Sequence, residues 1–168
     1  MNRNHMKKLF ALLLATAAML TFTSVAQTCG TGKASKKIES FEIVTLRLSG
    51  MRFTTEYEIV MKGKDAEVVE YSIRYNKNED KRVPERQTVC SADKILKLLN
   101  DCELVSWDGF HGKHPKGVKD GIMFSLQATV NGDRKIRAEG SENFPKHFRE
   151  LRDGLHAILS QKLKFNYV

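Results

Sequence analysis

The stretch IMFSLQATV, residues 122–130, followed by Asn131-Gly132, decides the fold. Apolar and polar residues alternate along it, which is typical of a strand with one buried face. Asn-Gly is the preferred pair of a two-residue type I′ hairpin, so we expect the chain to return as a second strand over residues 134–139. The sequence therefore predicts an antiparallel hairpin in the second half of the chain.

Three further strands are predicted ahead of this hairpin. Residues 38–48 are rich in apolar and β-branched side chains, and residues 53–61 and 69–75 alternate apolar with polar positions. The charged segment 76–86 (NKNEDKRVPER) is expected to be a loop, and residues 87–90 are compatible with a short edge strand. We therefore expect an antiparallel meander of three strands.

Two amphipathic helices complete the pattern. Ser91 is a good N-cap for a helix over residues 92–101, and Pro145 suits the first position of the last helix. The apolar stripe of that last helix consists of Phe144, Phe148, Leu151, Leu155, Ile158 and Leu159. The order β-β-β-α-β-β-α predicts an α+β domain, with one antiparallel sheet of about five strands and two helices packed on it.

The first 26 residues have the composition of a secretory signal peptide. Residues 1–8 carry three basic side chains and no acid, residues 9–20 are apolar apart from one threonine, and Ser24-Val25-Ala26 offers a cleavage site. The apolar segment is too short to span a bilayer comfortably. We therefore expect export to the periplasm or the cell exterior, a flexible leader over residues 27–37 and a single domain over residues 38–168.

Composition narrows the classes of partner. The signal peptide holds three of the 28 basic residues and none of the 20 acidic ones, so the net charge after cleavage is +5. This charge is lower than is typical of a nucleic-acid-binding domain, and export also argues against such a partner. A second protein or a surface glycan is the expected partner, and no cofactor is expected.

The three cysteines do not form an obvious set of bridges. Cys90 and Cys102 lie near opposite ends of the predicted helix 92–101, about 18 Å apart, which is too far for a disulfide. We expect both to be small buried residues. Cys29 has a second interpretation, since a lipoprotein signal is cleaved before a cysteine that is then acylated. The Gln27-Thr28 pair before it is a poor match to that signal, so cleavage after Ala26 is favoured and a lipid anchor is the alternative.

The segment 107–120 gathers side chains that can bind a metal ion. The candidate ligands are His111, His114, Asp108 and Asp120. Three such ligands and a water would suit a metal-dependent hydrolase, although the His-x-x-His spacing in a glycine-rich loop lacks the helical geometry of known zinc motifs. We favour the alternative of a surface loop that is anchored by Trp107 and Phe110, with solvated histidines.

Two other groups of residues are candidates for a site. Lys113, Lys116 and Lys119 form a run free of acids and could form an anion-binding rim, although solvated loop lysines are the simpler interpretation. A cysteine nucleophile would need a neighbouring histidine. His147 and His156 are nine residues apart on the last helix, so they point to opposite sides and cannot form one site together.

The last third of the chain resembles a family. Asp108-Gly109-Phe110, then Asp120-Gly121 opening a strand, then residues 140–145 (GSENFP) opening a helix, form an arrangement that is similar to one in exported proteins of Bacteroides-type bacteria with no known activity. The similarity covers about residues 107–160. It implies a compact α+β fold and an envelope location, and it transfers no catalytic residue.

The sequence therefore predicts an exported, non-enzymatic binding or interaction domain. One alternative is a metal-dependent hydrolase that uses the loop over residues 108–120. Another is a binder of anionic glycans or lipid headgroups, with membrane contact otherwise only through a lipid anchor at Cys29.

Overall fold

Seven strands form one sheet in the computed structural model, which describes residues 36–75 and 79–161. The strands are β1 (Phe41–Ser49), β2 (Thr54–Lys62), β3 (Asp65–Tyr75), β4 (Asp80–Ser91), β5 (Phe110–Gly112), β6 (Met123–Val130) and β7 (Arg134–Ser141). The helices are α1 (Ala92–Asp101) and α2 (Phe148–Leu159), and a short 3-10 helix covers Leu104–Trp107. The α+β class with two helices is confirmed, whereas the predicted count of about five strands is too low.

The predicted signal peptide over residues 1–26 and Cys29 lie outside the described residues, as does the leader up to residue 35. None of the helices in the described part of the chain has the length and apolar composition needed to cross a membrane. Residues 36–161 fall in one compact unit that begins at Ala34.

The spatial order of the strands is β4-β3-β2-β1-β6-β7-β5. The expected meander is present as β1, β2 and β3, and the expected hairpin follows as β6 and β7, with β6 pairing back onto β1. All neighbours are antiparallel except β5 and β7. Strand β1 therefore lies at the centre of the sheet, with β4 and β5 at its two edges.

The prediction of a loop over residues 76–86 is wrong from Asp80 onward, because residues 80–86 form the first part of strand β4. From Asp80 onward this charged segment pairs along the whole of β3. Its charges find partners on the neighbouring strands, since Arg86 pairs with Glu70 of β3 and Arg82 donates to Glu58 of β2 at 3.1 Å, so hydrophilic composition does not prevent pairing. Pro84 is tolerated because β4 is an edge strand and the register shifts beside it.

Strand β5 is an element that the sequence pattern did not predict, whereas the short edge strand expected over residues 87–90 forms the end of β4. Its three residues lie within the expected loop 107–119 and pair in parallel with β7, with Gly112 opposite Gly140. A Cβ at either glycine would collide with the carbonyl oxygen of Asn143. Close backbone approach at these two positions, rather than side-chain pattern, therefore allows this edge strand to form.

The hairpin between β6 and β7 has a three-residue loop in place of the predicted two-residue turn. Val130 pairs with Arg134, and Asn131 and Gly132 both adopt positive φ, at 50° and 90°. A two-residue turn would place Gln127 opposite Ile136 and so mix a polar with an apolar side chain on one face. The observed register pairs Gln127 with Arg137 instead, which keeps Ile136 in the core.

Helix α2 begins later than predicted. Pro145 was expected at the first helical position, but the helix starts at Phe148. His147 precedes it with a φ of 63°, a left-handed conformation that a helix interior does not allow. Helix α1 covers the predicted residues 92–101, and Ser91 occupies its N-cap position without a side-chain capping bond.

The two faces of the sheet differ in what covers them. One face packs against both helices and forms the core, with members that include Leu46, Tyr57, Val68, Leu126 and Ile136. Side chains that point the other way do not join this cluster, since Val69 and Ile73 are buried but lie outside it. We call this second side, which bears Thr45, Gln127 and Arg137, the uncovered face.

Candidate functional site

Three polar side chains lie in a row across the uncovered face. Thr45 of β1 pairs with Gln127 of β6, and Gln127 pairs with Arg137 of β7. Directly opposed residues on antiparallel strands have Cβ atoms about 5 Å apart. The alternation that turns Ala128 and Ile136 into the core turns Gln127 and Arg137 outward. The three side chains can therefore act on one ligand.

The side chains of Gln127 and Arg137 are unengaged. Neither makes a hydrogen bond or an ion pair within residues 36–75 and 79–161. Both border two adjoining grooves of about 420 and 220 Å³. A guanidinium fork beside a carboxamide presents several N–H donors, and this is the geometry that binds carboxylate, sulfate or phosphate oxygens. The arrangement is therefore suited to an anionic group.

The charges around these grooves are mainly positive. Lys135 and Arg137 of β7 line the smaller groove, and Arg47 of β1 faces the same side of the sheet, where its guanidinium donates to the Tyr75 hydroxyl at 3.3 Å. The acid in the larger groove is Glu139, whose Oε1 lies 2.8 Å from Nδ1 of His111. The potential over β1, β6 and β7 therefore favours an anion.

The other half of the uncovered face has its charges paired internally. Arg82 of β4 contacts Glu56 at 2.7 Å and Glu58 at 3.1 Å on β2. Its guanidinium carbon also lies 4.0 Å from the centroid of the Tyr71 ring. These contacts leave the half formed by β1, β6 and β7 as the part with unengaged donors.

The two histidines that are candidate metal ligands have protein partners. His111 contacts Glu139, as described above. The Nε2 of His114 lies 2.8 Å from the carbonyl oxygen of Val118, and its Nδ1 lies 2.8 Å from the hydroxyl of Ser141. Because a carbonyl only accepts, Nε2 carries the proton and Nδ1 of the neutral ring accepts from the serine. His114 therefore closes the loop that follows β5.

The two aspartates that are also candidate ligands do not join these histidines. Asp108 Oδ1 accepts from the backbone N–H of Arg137 at 3.1 Å and so helps to dock the start of β5. Asp120 is exposed. Over the described ranges, no group of three or more His, Cys, Asp or Glu side chains could hold a metal ion. The structure thus does not bring the four candidate ligands together.

The predicted lysine rim lies beside the same face. Lys113, Lys116 and Lys119 are exposed in the segment between β5 and β6, and their ammonium groups have no partner within the described residues. Lys113 borders a third groove of about 490 Å³. That groove shares His111 and Glu139 with the groove beside Arg137. Lys113 is therefore close to the row that the strands present, whereas Lys116 and Lys119 line none of these three grooves.

Neither described cysteine is activated. Cys90 on β4 and Cys102 after α1 are both free thiols. Burial raises the pKa of Cys102 to about 11 and also raises the pKa of Cys90. Thiols with raised pKa values stay protonated near neutral pH and are poor nucleophiles. The hypothesis of a cysteine nucleophile therefore gains no support.

A second polar cluster lies on the face that the helices cover. His156 Nε2 of α2 lies 2.7 Å from the hydroxyl of Tyr57, which is only 2% exposed. The Tyr57 hydroxyl lies 3.3 Å from Glu70, and Arg86 bonds both to Glu70 and, at 3.2 Å, to His156 Nδ1. The four side chains form a closed cycle of hydrogen bonds that connects α2 to β2, β3 and β4. We call this cycle of four side chains, and not the aromatic ring of Tyr57, the Tyr57 ring.

The donors and acceptors of the Tyr57 ring are mutually consistent. Arg86 can only donate, so Nδ1 of His156 accepts and its Nε2 carries the proton. His156 then donates to Tyr57, and Tyr57 donates to Glu70. Every bond of the ring is satisfied by the neutral form of His156.

Sequence patterns did not single out these two clusters. The outward positions of Gln127 and Arg137 are visible in the alternation, but their pairing depends on the hairpin register. The sequence pattern places His156 on the last helix, on the side opposite His147, and identifies no partner for it, whereas His147 pairs with Glu150 at 3.2 Å. The alternation of β2 includes Tyr57 as an apolar, inward-facing position. The fold then shows that its hydroxyl is hydrogen-bonded to a histidine 99 residues later in the chain.

The Tyr57 ring predicts a loss of stability at alkaline pH. Burial raises the pKa of Tyr57 to about 12, and Glu70 adds to this effect. An unfolded tyrosine ionises near pH 10, so the stabilisation is fully present below that pH. Between about pH 10 and 12 only the unfolded chain releases the proton, and the free energy of unfolding falls by about 2 kcal/mol. Urea unfolding at a series of pH values measures this slope.

The control for this prediction is a pair of phenylalanine variants. Tyr57→Phe should lose the part of the alkaline slope that Tyr57 causes, whereas Tyr75→Phe, at an exposed tyrosine, should keep it. Equal slopes in the two variants would contradict the assignment.

No protein-family model, characterised protein or solved structure matches this chain in comparisons with known proteins. The resemblance to exported proteins of Bacteroides-type bacteria therefore stays a prediction. The function has to be argued from the site itself.

Proposed function

We propose that this chain is an exported, non-enzymatic binding domain that holds an anionic glycan on its uncovered face. The observation that carries the proposal is the pair of unengaged side chains, Gln127 and Arg137, side by side in a groove. A polar group without a partner at a surface groove is available to a ligand at little cost, since no internal bond has to be broken.

Charge supports an acidic ligand in particular. Lys135 and Arg137 line the grooves, and Lys113 extends the positive surface at its end. A bidentate contact of Arg137 with a carboxylate or a sulfate adds both energy and orientation. The net charge of +5 expected after cleavage is in keeping with such a ligand.

The shape of the site favours a glycan over lipid headgroups. Arg137 and Gln127 border grooves between rows of side chains, where a single extended chain can lie. A bilayer surface is broad and meets the residues that protrude furthest. A sugar chain with acidic substituents is therefore the ligand that we propose.

Retention on immobilised dextran sulfate tests the proposal. Wild-type protein should be retained, and Arg137→Ala should elute at clearly lower salt, because a charge-assisted hydrogen bond contributes about 1.5 to 3 kcal/mol, or roughly tenfold or more in affinity. Unsulfated dextran should retain neither protein. Salt should weaken the binding, since the site is exposed to solvent.

Arg149→Ala provides a control of matched charge. Arg149 is exposed on α2, which packs on the opposite face of the sheet. This variant should elute close to wild type. Equal losses for Arg149→Ala and Arg137→Ala would indicate non-specific attraction and contradict the proposed site, as would the absence of retention.

A further inference from the structure

A cavity of about 570 Å³ opens beside the Tyr57 ring, on the face of the sheet that the helices cover. This volume is within the usual range of small-molecule sites, about 300 to 1,000 Å³. Its walls include Leu48, Phe53 and Ile122, and its polar lining includes Glu70 and His156. It lies on the opposite side of the sheet from the groove of Gln127 and Arg137, so it is a separate candidate site.

Phe53 forms an aromatic wall that is fixed in place. It is 48% exposed, which is unusual for a phenylalanine. The turn between β1 and β2 holds it, since Gly50 N–H donates to the Phe53 carbonyl at 2.9 Å. A Cβ at position 50 would lie 2.6 Å from the ring, so the glycine allows the ring to lie close to the backbone. The ring lines the cavity and therefore presents an apolar surface to it.

The Tyr57 ring forms a preorganised polar floor. Glu70 accepts one bond at each carboxylate oxygen, from Tyr57 and from Arg86, and each oxygen keeps a free lone pair. Thr55 also lines the cavity, and its hydroxyl has no partner within the described residues. The floor can therefore accept hydrogen bonds at Glu70 and both donate and accept them at Thr55.

The rim of the cavity carries a weak ion pair. Arg152 donates from Nε and Nη2 to the same oxygen, Oδ1 of Asp153, at 3.1 and 3.0 Å. The second carboxylate oxygen of Asp153 remains available. A pair of sequence neighbours at the surface contributes little to stability, so either partner can turn to a ligand.

The charges of the cavity cancel. Glu70 is balanced by Arg86, Asp153 is balanced by Arg152, and His156 is bonded as the neutral ring. An anionic ligand would meet Glu70 and Asp153, and a cationic one would meet the guanidinium of Arg152. A purely apolar ligand would bury the Thr55 hydroxyl without a partner, which is costly. A neutral ligand with hydroxyl groups avoids all three penalties.

We propose that this cavity binds one ring of a neutral sugar. The apolar C–H face of the ring would stack on Phe53, and its hydroxyl groups would bond to Glu70, Thr55, Arg152 and Asp153. Hydroxyl groups both donate and accept, which matches a lining that offers donors and acceptors together. This site is independent of the anionic ligand proposed for the uncovered face.

Amide chemical shifts of the ¹⁵N-labelled protein test the proposal. Methyl glucoside and N-acetylglucosamine are titrated, with cyclohexanol and benzoate as an apolar and an anionic comparison. At least one sugar should give saturable shifts around Phe53 and His156. Phe53→Ala should weaken that binding about fivefold, because an aromatic wall contributes about 1 kcal/mol. Asp153→Asn should weaken it as well.

Met51→Ala is the matched control for the aromatic wall. Met51 belongs to the same turn and is 74% exposed, and it does not line the cavity. This variant should bind the sugar as wild type does. The proposal is overturned if neither sugar gives saturable shifts at millimolar concentration, if cyclohexanol or benzoate binds more tightly, or if the shifts lie on the uncovered face.

Discussion

Glu70→Ala is expected to lower the free energy of unfolding by about 2 to 3 kcal/mol, and urea unfolding at neutral pH measures the change. The carboxylate accepts from both Tyr57 and Arg86, and its removal leaves a buried hydroxyl and a guanidinium without their acceptor. Breaking a buried pair by removing one partner is more costly than the pair is favourable, because the remaining charge stays desolvated. The partial exposure of Arg86 keeps the expected loss below the range of about 3 to 5 kcal/mol for fully buried pairs.

Glu67→Ala is the matched control on the same strand. Glu67 faces the uncovered side and contacts Lys62 at 3.9 Å near the surface. Its loss should cost less than about 1 kcal/mol. If the two alanine variants were equally stable, the Tyr57 ring would not be the polar connection between α2 and the sheet that its geometry indicates.

Trp107→Ala is expected to have the largest effect of a single core substitution, about 3 to 5 kcal/mol. Trp107 is only 1% exposed and its ring centroid lies 6.2 Å from that of Phe148. It is the only tryptophan of the chain, so far-ultraviolet circular dichroism rather than fluorescence should follow unfolding. Trp107 is the contact between the 3-10 helix and Phe148 of α2. The alanine variant loses this contact and leaves a cavity in its place.

Trp107→Phe separates the contribution of packing from that of the indole N–H. Within the described residues this buried N–H has no acceptor. Phenylalanine keeps part of the ring contact and removes the unpaired donor, which offsets part of the lost packing. We expect it to cost clearly less than Trp107→Ala. Equal losses in the two variants would contradict this separation of ring packing from the unpaired indole N–H.

Local sequence signals predict an element correctly where one short segment contains both its apolar stripe and its ends. The helix over residues 92–101 appears within the predicted bounds because its apolar stripe and first turn are contained in ten residues. The anchoring role expected for Trp107 and Phe110 agrees with the structure, since Trp107 is buried and Phe110 packs against the core. Periodicity indicates such elements because burial of one face is their main stabilisation.

Elements that depend on a distant partner were not predictable in this way. Strand β4 is charged and contains Pro84, and it forms because β3 offers a complete partner strand. The hairpin loop gained one residue because burial of Ile136 outweighed the local preference for an Asn-Gly turn. The start of α2 moved to Phe148 because His147 takes a left-handed conformation.

The candidate sites also contain some residues that a single segment indicates and others that depend on distant parts of the chain. The exposed lysines at positions 113, 116 and 119 were recognisable from the sequence as an acid-free run. Arg137 became a candidate only once the register placed it beside Gln127. The Tyr57 ring consists of residues from three strands and one helix that lie up to 99 positions apart in the chain. A local sequence pattern does not indicate that such distant residues contact each other.

Chemical-shift mapping of a dextran sulfate oligosaccharide on the ¹⁵N-labelled protein is the decisive measurement for the proposed function. Saturable shifts should centre on Thr45, Gln127 and Arg137, extend toward Lys113, and disappear in Arg137→Ala. The exposed sides of α1 and α2 should remain unchanged. Shifts centred on the helices, or shifts that persist unchanged in Arg137→Ala, would contradict an anion-binding site on the uncovered face.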